Sequence, residues 1–312
     1  MRARSLFFSI LCIGATYICS SCASSRPVNE QKLFIKAGRH KVVWSRRELL
    51  RSPNLERVEV SSDPTYGVAV RKFRAIRAAI LFQKALGEKR LAQMMKDGST
   101  LEFSCLDGFS ASLPIRLLLN SDNTKAIAYI AIEPRGEKWP ALKMSTKKAT
   151  SQSPRSFTTA GPFYLIWKNA ARSHVGPEQW PYQLSGFTVK PPIARQFPQM
   201  VPSTRNKNVI AGFHLFLKNC FTCHTMNNEG DSHLGPDLNI PMSPIEYLRA
   251  GMIRRLIRNP QNLRRWPESK MSSFSPDVLS DRDIDHIIDY LKFMSRRKRS
   301  AHTQKNIGAI HQ

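Results

Sequence analysis

Cys220-Phe221-Thr222-Cys223-His224 places two thiols three positions apart, with an imidazole directly after the second. With six cysteines and eight histidines in 312 residues, this pattern arises by chance roughly 0.003 times in such a chain. Zinc would call for a second Cys or His pair at matching spacing, and the nearby His214 and His233 do not form one. A thioredoxin-like redox pair would sit in a βαβ context, whereas this segment follows a helical pattern. The order instead suits a porphyrin edge. Cys220 and Cys223 reach two vinyl groups, and His224 lies under the iron as an axial imidazole.

Outward from the motif the pattern is helical. Residues 209–219, 244–258 and 280–297 each read as a helix, Pro244 being suited to a first turn. Ser280 and Asp283 fit a capping pattern, and Ile284, Ile287, Ile288 and Leu291 form one apolar stripe. Gly212 and Phe216 precede the motif, Tyr290 lies in the last helix, and Leu234-Gly235-Pro236-Asp237-Leu238 follows His224. With these features, residues from about 205 to 298 resemble a class I cytochrome c domain. The resemblance implies an all-α fold with one haem c, and a Pro236 carbonyl that accepts the imidazole N–H and orients the ring. It also implies an axial methionine before the last helix. Met271, in Lys270-Met271-Ser272-Ser273-Phe274, stands there, with Ser272 where relatives usually carry proline. Met242 is the runner-up. Met226 is too close to His224 to reach the opposite haem face, and Met252 and Met294 fall within predicted helices. Axial His/Met ligation fills both positions and implies an electron carrier; an open sixth position would instead make a small-ligand binding or sensing module.

Upstream, residues 40–190 alternate apolar runs with turn signals, including 58–60, 101–103, 126–132, 163–167 and 184–189. Phe73, Ile76, Ile80 and Leu81 predict a helix over 73–86. The region reads as an α+β domain. Its segments Cys105-Leu106-Asp107-Gly108-Phe109-Ser110-Ala111-Ser112-Leu113-Pro114 and Gly161-Pro162-Phe163-Tyr164-Leu165-Ile166-Trp167 resemble the sulfite-oxidase-like molybdopterin-binding fold. In active members a cysteine near this loop ligates molybdenum, which would make Cys105 the ligand. The region is short for that catalytic fold, and its basic cluster, Arg71, Lys72, Arg74 and Arg77, is not a convincing phosphate site. A degenerate, cofactor-less copy with a free structural Cys105 is the leading reading. The alternative is a two-centre oxidoreductase, with a molybdenum cofactor here and the haem as relay. Trp139, Trp167 and Trp180, with Tyr164 and Tyr182, suit an aromatic core or a docking surface.

The ends complete the organisation. Residues 1–22 combine a basic start, an apolar stretch and small residues, as a secretory signal does. Ser20-Ser21-Cys22 resembles a bacterial lipobox, and Cys12 and Cys19 also lie in the signal. Residues 23–39 read as a tether, 191–208 as a proline-bearing linker, and 299–312 as a basic disordered tail. The formal net charge of +25 points to acidic partners, and no nucleic-acid-binding motif accompanies it. The expectation is an extracytoplasmic monohaem electron carrier on the periplasmic side of a bacterial membrane. It exchanges electrons with acidic redox proteins and is lipid-anchored if Cys22 is processed.

Overall fold

The computed structural model describes residues 31–67, 70–134, 138–142, 159–232, 234–249, 251–265, 269 and 271–298. The signal, Cys12, Cys19, Cys22, residues 23–30 of the tether, His233 and the basic tail lie outside the described residues.

The first domain is built from strands β1 (Lys32–Ala37), β2 (His40–Ser45), β3 (Glu56–Val60), β4 (Arg71–Arg77), β5 (Thr100–Cys105), β6 (Ser110–Pro114), β7 (Ile127–Pro134), β8 (Tyr164–Lys168) and β9 (Leu184–Lys190). They form two sheets, ordered β2-β1-β9-β5-β6 and β3-β4-β7-β8. Within the first sheet β1 and β9 run parallel and the other neighbours antiparallel. Short helices α1 (Arg46–Leu50), α2 (Ala78–Leu86), α3 (Glu88–Asp97) and α4 (Ile115–Leu118) accompany the sheets. In β1, Leu33, Ile35 and Ala37 are buried while Lys32 and Lys36 are exposed, the alternation of a strand with one covered face. β8 is buried from Tyr164 to Trp167, as suits a strand covered on both faces. This is the α+β architecture expected, with two differences in detail. Residues 32–37 leave the tether to become β1. The helix expected over 73–86 divides into β4 and α2. Phe73 and Ala75 are buried on one face of β4, which is flanked by β3 and β7. The small Ala75 hides this period of two in the sequence, and Phe73 and Ile76 mimic a helical one.

Beyond β9 come α5 (Ile193–Gln196), α6 (Lys207–Asn219), α7 (Pro244–Tyr247), α8 (Met252–Arg258), α9 (Pro260–Leu263) and α10 (Asp281–Ser295). They enclose a second core around Phe213, Phe216, Ile257, Ile284, Ile287 and Tyr290. α10 begins at a reciprocal capping box between Ser280 and Asp283. The helix expected over 244–258 is broken because Leu248 turns extended and Gly251 adopts φ +79°, a conformation that favours glycine. Residues 191–208 are bound rather than loose. Ile193 and Met200 are buried in the second core, Tyr290 Oη donates to the Met200 carbonyl at 2.7 Å, and Glu229 accepts from the backbone of Gln199 and Met200. Proline stiffens this strap, and its apolar residues anchor it. Among the described residues, no helix is long and apolar enough to cross a membrane.

Candidate haem site

α6 sets the position of the motif. The Asn206 side chain accepts from the Asn208 amide at 2.9 Å and starts the helix. Gly212 lets α10 approach closely: a Cβ there would lie 1.9 Å from the His286 carbonyl oxygen. Phe213 and Phe216 stack against Tyr290 at centroid separations of 5.6 and 5.3 Å.

The helical path continues through the motif. Cys220 N–H donates to Phe216 at 2.8 Å, and the amides of Cys223 and His224 donate to the Cys220 carbonyl at 3.0 and 2.9 Å. Residues three apart on such a turn share a face, so Cys220 and Cys223 sit on one side. Burial pushes the Cys220 thiol up to about 12, the Cys223 charge adding to it. Burial, then the charge of Glu178, pushes Cys223 up to about 11.

The imidazole is held from behind. His224 Nδ1 lies 2.8 Å from the Pro236 carbonyl oxygen. A carbonyl only accepts, so Nδ1 carries the proton and Nε2 keeps its lone pair. Burial moves the ring's pKa down, against the opposing effects of Pro236 and Asp237, which favours the neutral, metal-binding form. The Gly235 amide donates to the Cys223 carbonyl at 2.7 Å, and a Cβ on Gly235 would come within 2.6 Å of the His224 ring. Asp237 ties the loop down, accepting from Thr225, Asn228, Asn239 and Ile240 at 2.7–2.8 Å. Two thiols on one turn and a neutral imidazole with its tautomer set form a donor set that fits haem c.

Met271 is half-buried against the same core as Cys220. Its loop is anchored downstream by Arg258, which donates to the carbonyls of Phe274 at 2.9 Å and Leu279 at 2.5 Å. Met242 is 51% exposed, while Met226 and Met294 are buried core residues at 0% and 2%. Among the described residues, no three His, Cys, Asp or Glu side chains converge as a metal site, which leaves the C-x-x-C pair without zinc partners there.

The first domain reaches this centre through a segment that sequence reasoning missed. A cavity of about 230 Å³ beside Cys223 and Leu234 is lined by Asp107, Phe109, Glu178, Trp180 and Tyr182. Pro177 and Pro181 mark a rigid turn there, but no local pattern links it to residues 40 positions away. Of the aromatics singled out, Trp167, Trp180 and Tyr164 belong to the buried first core, whereas Tyr182 is half-buried at the cavity.

Cys105 does not join the centre's donor set. It is 9% exposed at the end of β5, and burial, then the charge of Asp107, pushes its thiol well up. The basic cluster lies on β4, in the other sheet. Lys72 pairs with Glu59, Arg74 with Glu133, Arg77 with Glu56, and Arg71 stacks over the Tyr66 ring. Cations already matched to carboxylates and an aromatic face do not fit a pterin phosphate site, so no step is assigned to molybdenum.

Residues 207–291 match the family described as cytochrome c oxidase, cbb3-type, subunit III, and this stretch forms a c-type cytochrome domain. Among solved structures, the sulfane dehydrogenase SoxCD from Paracoccus pantotrophus matches over 52% of this chain, with 13% identity and a TM-score of 0.33. The match spans 39% of that chain. No curated protein matches this sequence.

Proposed function

We propose that this chain is an exported monohaem electron carrier. Cys220 and Cys223 would hold haem c covalently, and His224 and Met271 would coordinate its iron. When bound, the haem supplies a one-electron iron couple. The chain's own residues do the rest. The two thiols prevent loss of the group. Pro236 holds the imidazole proton at Nδ1 and so presents Nε2. Met271 would supply a thioether to the iron, a ligand that favours the reduced state and leaves no open position for substrate.

The observation that carries this reading is the 2.8 Å contact from His224 Nδ1 to the Pro236 carbonyl, on a turn that sets both thiols on one side. The first domain, without a cofactor of its own, positions partners and the haem domain. The basic start and apolar stretch of residues 1–22 support a location on the periplasmic side, with Cys22 as the lipid attachment point if it is processed. The excess of 48 basic over 23 acidic side chains suits an acidic redox protein, and that reaction slows as salt rises.

The test is export of the full chain in a host that matures c-type cytochromes. The expected product is red, keeps its haem through denaturing electrophoresis and has a low-spin spectrum. Cys220→Ala with Cys223→Ala abolishes the retained haem. A colourless wild-type protein overturns the proposal.

A further inference from the structure

Ser272 follows Met271 and donates its hydroxyl to Glu178 Oε1 of the first domain. This contact joins residues 94 positions apart, and both sides of it are anchored. Glu178 lies in a single 3-10 turn, Pro177–Gln179, opened by proline. The Gln179 side chain accepts from the Gly176 amide at 2.9 Å, and Trp167 Nε1 donates to the Gln179 carbonyl at 2.7 Å.

The same segment touches both sides of the haem site. Gln179 Nε2 donates to the Lys218 carbonyl at 3.3 Å, and Lys218 Nζ donates back to the Ser173 carbonyl at 2.8 Å; Lys218 stands two residues before Cys220. On the methionine side, His174 Nδ1 donates to the Asp277 carbonyl at 2.8 Å. A Cβ on Gly176 would lie 3.3 Å from Val278.

We infer that Glu178 is a positioning residue for the Met271 thioether: it holds Ser272 and thereby lets the first domain set the axial ligation of the second. This rests on the assignment of Met271 as ligand. The physical need is local. A proline after the methionine would lock its own φ and restrict the residue before it. Ser272 gives up that constraint and gains a donor. A carboxylate acceptor on a rigid turn returns it, as a charge-assisted bond.

The test uses the full-length haem-loaded protein and three readouts: the weak red band of methionine bound to ferric iron, the midpoint potential, and displacement of the sixth ligand by added imidazole. Glu178→Gln and Ser272→Ala each weaken the band and tighten apparent imidazole binding about tenfold, and Ser272→Ala, which keeps the Glu178 charge at the cavity beside Cys223, also lowers the potential. The double variant weakens the band no more than either alone. Ser272→Pro in the Glu178→Gln background restores the band, which a merely structural defect would not allow. Lys218→Met, which breaks the domain junction away from the methionine loop, leaves the band in place. An unchanged band and imidazole affinity in Glu178→Gln overturn the inference alone, provided that Met271→Ala abolishes the wild-type band. If the wild-type protein has no such band, or Met271→Ala leaves it intact, the ligand assignment falls and takes the inference with it. Loss of the band in Lys218→Met equal to that in Glu178→Gln reduces Glu178 to domain adhesion and also overturns it.

Discussion

Replacing Gly212 by alanine sets a methyl carbon 1.9 Å from the His286 carbonyl oxygen and 2.9 Å from Tyr290 Cβ. The obstacle is the backbone of α10, which cannot swing aside as a flexible side chain can. Opening 1.9 Å to an ordinary 3.4 Å contact requires α6 and α10 to part by about 1.5 Å, enough to forfeit most of the dispersion energy between the facing side chains. Those are Phe213, Phe216, Ile287 and Tyr290, all buried. The separation also pulls on the Tyr290 bond to Met200. Overpacking of this kind costs about 3 kcal/mol, and the helix preference of alanine over glycine returns about 1 kcal/mol. The net loss is about 2 kcal/mol, or about 10 °C in the melting temperature of a domain this small. Urea and thermal unfolding of the haem-loaded protein, followed by haem absorption, measure it. A neutral or stabilising Gly212→Ala would show that the helices do not meet at this residue, and the placement of Cys220 and Cys223 by that crossing would fall with it.

Four further outcomes are expected. Ser280→Ala removes the α10 cap and costs about 1 kcal/mol. Burial works to raise the neighbouring Asp283 carboxyl, but the Ser280 hydrogen bonds outweigh it and hold it below the usual value. That contribution is therefore present above the unfolded carboxyl's pKa and lost as pH falls through the folded one. Asp283→Asn flattens the acid limb of stability against pH, and an unaltered limb refutes the cap. Tyr164→Phe deletes buried bonds to Asp63 at 2.7 Å and Thr65 at 2.9 Å; chemical denaturation then reads a loss of about 1.5–3 kcal/mol, and less than about 0.5 kcal/mol contradicts the network. Cys105, its thiol held protonated by burial and then by Asp107, resists alkylation at mildly alkaline pH until urea is added; rapid labelling of the folded protein counts against its place in the core.

The parts of this protein legible in its sequence are those written over short distances. The thiol–imidazole spacing, the Ser280–Asp283 cap and the apolar stripe through Ile284, Ile287 and Leu291 all fall within four or five turns of one element. Where neighbours in space are distant in sequence, the reading was ambiguous. β4 is a strand because β3 and β7 flank it, which its own residues do not declare. The strap over 191–208 looked like a linker because its prolines are local, whereas its partners Glu229 and Tyr290 lie 30 and 90 residues on. The ion pairs of the basic cluster on β4 are hidden for the same reason: Glu133, which receives Arg74, also receives Arg46 and comes from another strand. The Glu178–Ser272 bond is the extreme case: Ser272 stands out only by replacing the proline of relatives, and nothing near it in sequence points to Glu178.

These long-range contacts also explain why a chain with so large a positive excess tolerates carboxylates near its haem site. Acidic residues here are tied to particular tasks. Asp237 collects the donors of the loop behind His224, Asp281 and Asp285 bind Arg254 and Arg258 beside the methionine loop, and Glu178 holds Ser272. Each stabilises a segment that touches the candidate iron ligands, and Asp281 and Asp285 do so by neutralising arginines. Other described basic side chains, such as Lys36, Arg39 and Lys41 of the first domain, are exposed. A formal net charge of +25 thus coexists with a centre whose own surroundings carry negative groups. Salt screens the exposed Asp281 and Asp285 as it does the surface cations, whereas the half-buried Glu178 is screened less.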